Sequence, residues 1–267
     1  MARKERYRHK HQDTIAAGSE TKIQFRGSVL PEAREAFEAG KVLLIDKPLH
    51  WTSFDVVRKL RSFLRIKKIG HAGTLDPLAT GLLILCTGKF TKQINTYMQQ
   101  EKEYTGSITL GAQTPTYDLE SLPEPFGTYD SLSPEEIQTA ANRFVGDILQ
   151  FPPVYSAIKK DGEKLYELAR RGDEVELLFF FMQNTAYEIT SVNLPVVTFR
   201  VVCSTGTYIR SLAHDLGKEL GCGGYLSALR RTRIGDFRVE EADTLASFAD
   251  KYSELPVDKE STEGQNG

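Results

Sequence analysis

Gly70-His71-Ala72-Gly73-Thr74-Leu75-Asp76-Pro77-Leu78-Ala79-Thr80-Gly81 carries a single carboxylate, Asp76, set between Leu75 and Pro77 with no other acid near it. Pro77 fixes its own φ and offers no backbone N–H, while Gly70, Gly73 and Gly81 permit φ values closed to other residues. A lone acid among apolar neighbours in a stiff loop needs a partner, because an unpaired buried carboxylate is costly. Such an acid is a candidate nucleophile or general base. On local pattern alone it reads equally as an Asp-Pro turn or a helix cap, so the flanking chain has to decide.

Upstream, Lys41 to Asp46 is a short apolar strand that Pro48 ends. Thr52-Ser53-Phe54-Asp55 is a capping-box pattern, and Phe54, Val57, Leu60 and Leu64 then recur at helical spacing, with Arg58, Arg61 and Arg65 on another face. Downstream come a strand over Leu82 to Cys86, a helix from about Thr91 to Met98 and a strand from Glu103 to Gly111. Tyr104, Ile108 and Leu110 share one parity in that strand and so one sheet face. Ser133-Pro134-Glu135-Glu136 starts a helix with proline and acids in its first turn. Phe151-Pro152-Pro153 precedes a strand containing Tyr155, and Glu163 to Arg171 reads as a helix stopped by Gly172. Val197, Phe199, Val201 and Cys203 alternate along a strand that leads to a helix from Tyr208 to Leu220. Its apolar stripe is Ile209, Leu212, Ala213, Leu216 and Leu220, which leaves Arg210 off the stripe near the positive end of the helix dipole. A cation there calls for a carboxylate from elsewhere in the chain.

The chain has 267 residues, 40% hydrophobic and 10% aromatic, enough for a substantial core. No apolar run approaches the roughly 20 residues that span a bilayer, and the N-terminus has no signal-peptide core. Cys86, Cys203 and Cys222 form no metal or disulfide pattern and suit reduced thiols in the cytoplasm; no metal site is expected. A net charge of −2 conceals segregation. Basic residues gather in Arg58–Lys68, in Lys159–Arg171 and in Arg230, Arg231, Arg233 and Arg238. Each run is usually a solvated face, but three of them point to a polyanion such as RNA. Leu177 to Met182, with three successive phenylalanines, would be an aggregation hazard if exposed and is expected to be covered.

Six ordered blocks carry a resemblance. They are Asp46-Lys47-Pro48 with Trp51-Thr52-Ser53-Phe54-Asp55; Gly70 to Pro77; Lys102-Glu103-Tyr104; Pro152-Pro153-Val154-Tyr155-Ser156-Ala157 with Gly162 and Leu165 to Arg170; Gly206-Thr207-Tyr208-Ile209-Arg210 with Asp215-Leu216-Gly217; and Leu229-Arg230-Arg231. Over about Lys41 to Phe237 the chain resembles the TruB-type tRNA pseudouridine synthases. The resemblance implies an α+β pseudouridine synthase fold, a mixed and mainly antiparallel sheet flanked by helices and loops around a central RNA-binding cleft. It implies a basic N-terminal extension over 1–38, a catalytic domain over 39–250 and a polar tail over 251–267, without the C-terminal PUA-like domain many members carry. The implied reaction is isomerisation of uridine-55 in the T-loop of tRNA after base flipping, with no cofactor, by a cytoplasmic monomer that needs no protein partner and touches no membrane. Two alternatives stand beside it: a guide-RNA-dependent synthase subunit, and a tRNA-folding chaperone in which catalysis is secondary.

Carried over residue by residue, Asp76 is the catalytic nucleophile or base, Tyr104 stacks on the flipped base and assists proton transfer at the sugar, and Arg210 pairs with Asp76. Leu229 packs against the base, Asp118 helps order the site, His71 wedges into the T-loop, and Lys47 and Tyr208 contact substrate. On local pattern Tyr104 reads as core, His71 as a loop hydrogen-bonder, and Lys47 as either a phosphate contact or a solvated turn residue. Pro115 stands where the family often has Asp, and Asp118 fits a family position further along.

Overall fold

The structure, a computed structural model, describes residues 25, 27–153, 159–160, 163–164 and 179–254. The basic arm before residue 25, the strand expected at Tyr155, Arg170 and Arg171 of the basic cluster at residues 159–171, and the tail beyond residue 254 lie outside the described residues. Pro31 opens helix α1 (Pro31–Ala39), which buries Ala33 and Phe37. Strand β1 (Val42–Lys47) alternates, with Leu43, Ile45 and Lys47 inward. Helix α2 (Ser53–Leu64) starts on the capping box read from the sequence: the Thr52 hydroxyl accepts from the Asp55 N–H while the Asp55 carboxylate accepts from that of Thr52. Its buried face is Val56, Val57, Leu60, Phe63 and Leu64. Phe54 does not belong to it and is 58% exposed; it sits about 100° around the helix from buried Ser53.

Strands β2 (Ile69–His71), β3 (Ala79–Thr87) and β4 (Lys102–Leu110) follow, then α3 (Pro134–Asn142), β5 (Gly146–Gln150), β6 (Phe180–Asn193), β7 (Val196–Cys203), α4 (Ile209–Glu219), β8 (Gly224–Ile234), β9 (Phe237–Arg238) and α5 (Leu245–Tyr252). They build one sheet in the order β1-β3-β8-β4-β7-β6-β5, with β2 on β3 and β9 on β8. Every pairing in it is antiparallel except β3 with β8. The sheet is mixed and mainly antiparallel, as expected.

One core joins Tyr104, Ile108, Val197, Phe199 and Val201 to Ile137 of α3 and Leu212 and Leu216 of α4. A second joins Ile45, Leu83 and Leu85 to α1, α2 and α5. Phe37 of α1 packs on Phe248 and Tyr252 of α5, and Val29 bridges to Ser253. The boundaries expected at residues 38 and 250 therefore fall inside one packed unit. No helix among the described residues is long and apolar enough to cross a membrane. The three cysteines are unpaired and buried.

Three other expectations change. Glu163–Lys164 pairs antiparallel with Lys159–Lys160 instead of starting a helix. Phe181, read as covered, is 77% exposed, because it alternates with Phe180 and Met182 along β6. The arginine cluster at residues 230–238 lies mostly in β8, where Arg230 pairs with Asp46 and Arg233 with Glu101. Those two charges are committed to partners, leaving exposed Arg65, Lys67 and Lys68, with exposed Arg58 beside its partner Asp55, as the basic surface ahead of the loop.

Candidate active site

Asp76 lies in the connection between β2 and β3, and the backbone around it is pinned from several elements. The buried Ser53 hydroxyl, at the start of α2, accepts from the Leu75 N–H at 2.9 Å. The His50 N–H donates to the Pro77 carbonyl, and the Ala79 N–H to that of Asp76. Gly81, at φ +103, lets β3 run against β8: a Cβ there would stand 2.3 Å from the Arg231 carbonyl oxygen.

The partner that Arg210 called for is Asp76. From the first turn of α4 the Arg210 Nε reaches Asp76 Oδ2 at 3.0 Å and Asp118 Oδ2 at 3.8 Å. Its Nη1 donates to the Thr116 carbonyl at 3.5 Å. The Arg210 side chain is 8% exposed and that of Asp118 5%, while Asp76 keeps 39%. A buried guanidinium backed by a buried carboxylate thus presents one acid to solvent. Burial pushes the Asp118 carboxyl above its ordinary range, although Thr116, the Glu120 N–H and Arg210 all favour its charged form.

Tyr104 of β4 lies directly across from Arg231 of β8 and Val201 of β7. It is buried, and burial pushes its phenol up. Leu229 pairs with Ala79 and Gly106 and packs against the cluster holding Leu75 and Tyr104. Asp76, Tyr104, Arg210, Asp118 and Leu229 are therefore joined through contacts to one another or to one cluster. Tyr208 caps α4 two residues before Arg210. His71 ends β2, half-buried, and burial together with the positive charge of Arg231 lowers its imidazole.

Lys47 departs from its expected role as a substrate contact. It is fully buried, and its Nζ donates to the carbonyls of Pro48 at 2.9 Å and Trp51 at 2.6 Å. Burial lowers its ammonium to about 8. It ties the turn before α2 from beneath and offers no surface charge to a phosphate.

Two contributors were invisible locally. Ser53 was read only as part of the cap sequence. Buried Gln150, the last residue of β5, accepts from the Tyr208 N–H at 2.7 Å and donates to the Tyr208 carbonyl at 3.0 Å. This amide clamp fixes the start of α4, and hence Arg210, yet a glutamine before Phe151-Pro152 carries no pattern that announces it. Among the described residues no cluster of three or more His, Cys, Asp or Glu could hold a metal ion.

The profile of the TruB family pseudouridylate synthase N-terminal domain matches residues 61–209, and that of the tRNA pseudouridylate synthase B C-terminal domain matches residues 210–261. The chain is 51% identical to tRNA pseudouridine synthase B of Flavobacterium johnsoniae, over 80% of this chain and 96% of that protein. It is 45% identical to the protein of the same name from Phocaeicola vulgatus, over 84% of this chain and 97% of that one. Among solved structures it is similar to a chain of a Cbf5-Nop10-Gar1 complex, with a TM-score of 0.64 and 29% identity over 87% of this chain; it spans 61% of that one. With a family profile over more than half its length and near-full-length relatives at such identity, the chain belongs to the TruB family of pseudouridylate synthases.

Proposed function

We propose that this chain isomerises uridine to pseudouridine in tRNA, at uridine-55 of the T-loop, as a cytoplasmic monomer acting without a cofactor. The observation that carries the reading is Asp76, partly exposed on a pinned loop and 3.0 Å from a buried guanidinium, in a chain 51% identical to a protein named for this reaction. Substrate and product are isomers, so no external group or electron is required. The C1′–N1 bond breaks, the base turns, and the C1′–C5 bond forms. C5 loses a proton and N1 gains one.

A stacked uridine cannot reach a carboxylate on a loop, so the nucleotide must be everted at a cost of a few kcal/mol. Stacking on an aromatic ring and cationic contacts to the backbone offset that cost. In this reading Asp76 meets the ribose as nucleophile or base, and Tyr104 stacks on the base and serves proton transfer at the sugar. Arg210 is the counter-charge of Asp76, held by Asp118, and Leu229 packs the base. His71, uncharged at neutral pH, wedges into the place the uridine leaves, and Tyr208 lines the same end of α4. Exposed Arg58, Arg65, Lys67 and Lys68 meet phosphates.

The alternative of a guide-RNA-dependent subunit is weighed by the same test; the chain is 29% identical to a chain solved within a protein complex and 51% identical to the tRNA-named relative. The test is tritium release from C5-labelled uridine in an unmodified tRNA transcript, with the modified position mapped. Wild type is expected to release tritium without added guide RNA, and Asp76→Asn to bind tRNA yet release none. Retained release by Asp76→Asn, or none by wild type, overturns the reading. Annealing of the tRNA elbow that persists while isomerisation is absent from wild type favours the chaperone.

A further inference from the structure

Arg230 and Arg231 are neighbours on β8 with opposite fates. The Arg230 guanidinium forms a two-pronged bond to Asp46, at 3.0 and 2.7 Å. Arg231 turns inward and is 1% exposed. Its Nε donates to the Leu82 carbonyl at 2.7 Å, its Nη2 to that of Gly73 at 3.2 Å and its Nη1 to that of Thr74 at 3.4 Å. Tyr104 is its cross-strand neighbour on β4. Among the described residues Arg231 forms no ion pair.

A cation taken out of water without a carboxylate is an expensive arrangement, and three neutral carbonyls compensate it only in part. Their position shows what it secures. Gly73 and Thr74 lead directly into Leu75 and Asp76, and Leu82 lies just beyond the loop's exit. Ser53 holds Leu75 from the α2 side, so Arg231 supplies the second wall of a two-sided grip. Gly73 at φ +94 leaves the loop close above the guanidinium: a Cβ there would be 3.6 Å from Nη1. The same residue stands opposite Tyr104 on the neighbouring strand and grips the backbone carrying the acid, and its fixed fork suits divergent acceptors as one ammonium does not.

We propose that Arg231 is a positioning residue for the reaction, a buried guanidinium that locks the Gly73–Asp76 backbone and the Tyr104 ring in register with each other. It touches no substrate. The inference rests on the isomerase reading above, because positioning has meaning only if Asp76 and Tyr104 act on one nucleotide.

The experiment compares wild type, Arg231→Lys and Arg231→Gln for cooperative unfolding, tRNA transcript binding and single-turnover pseudouridine formation. Both variants are expected to fold and to bind within about threefold of wild type, since no phosphate contact is lost. The rate at saturating enzyme is expected to fall about 100-fold in each, the penalty of roughly an ångström of misplacement, and lysine to give no rescue despite its charge. Rates within threefold of wild type overturn the inference, as does recovery by lysine alone, which would make charge the relevant property. Loss of binding in proportion to rate, or failure of both variants to fold, places Arg231 in RNA contact or in the scaffold and also overturns it. If wild type itself forms no pseudouridine, the isomerase reading fails instead, and the two failures are distinct.

Discussion

Arg210→Met removes the guanidinium that Asp76 and Asp118 share, and its cost can be worked from the geometry. Asp76 is 39% exposed, so water screens it and the loss there is small. Asp118, 3.8 Å from the guanidinium and 5% exposed, is left as an uncompensated buried carboxylate. At that distance an effective dielectric near 20 gives about 4 kcal/mol. Relief of the arginine's own desolvation returns part of it, leaving a destabilisation of about 3 kcal/mol at pH 8, in the range found when a buried pair is broken. Burial already holds the Asp118 carboxyl above its usual range with Arg210 in place, and without the cation it moves higher still. A carboxyl raised in the folded state contributes stability at low pH and loses it as pH rises from the unfolded value through the folded one. The damage from Arg210→Met must therefore shrink toward pH 5, by about 1.4 kcal/mol for each pH unit over which one extra proton stays bound. Urea melts at pH 5, 6.5 and 8, followed by the fluorescence of Trp51, the one tryptophan, measure this. Adding Asp118→Asn to the variant is expected to remove the pH dependence. Equal destabilisation at pH 5 and pH 8 refutes the reasoning.

Two other substitutions probe the loop and the ring. Tyr104→Phe keeps the buried ring and loses its hydroxyl, so a fall of at least about 100-fold in single-turnover rate is expected; an unchanged rate excludes the phenol from proton transfer. Gly81→Ala forces a Cβ to 2.3 Å from the Arg231 carbonyl at a left-handed φ, so thermal melts should show a loss of about 3 kcal/mol, and wild-type stability would contradict the β3–β8 geometry.

The alternation of Val197, Phe199, Val201 and Cys203, the capping box at Thr52, the helix start at Ser133 and the Ile209–Leu216 stripe were legible because they are local: period and cap chemistry are written within a few residues. The candidate acid was legible too, since a lone carboxylate between glycines and a proline stands out in one dimension. Arg210 announced a need for a partner without naming it. What the sequence could not assign is which way each polar side chain faces once distant strands meet. Lys47 looked like a surface cation and is buried on carbonyls. Arg230 and Arg231 looked alike until β8 paired with β3, placing Arg231 against the Leu82 carbonyl, 149 positions away in the chain. Gln150 likewise gained its meaning only when β5 closed on α4. The chain by itself determined most of the elements, the candidate acid and the family frame. Tertiary structure alone decided the charge partners, because desolvation and hydrogen bonding act on what is near in space, while sequence periodicity records only what is near along the backbone.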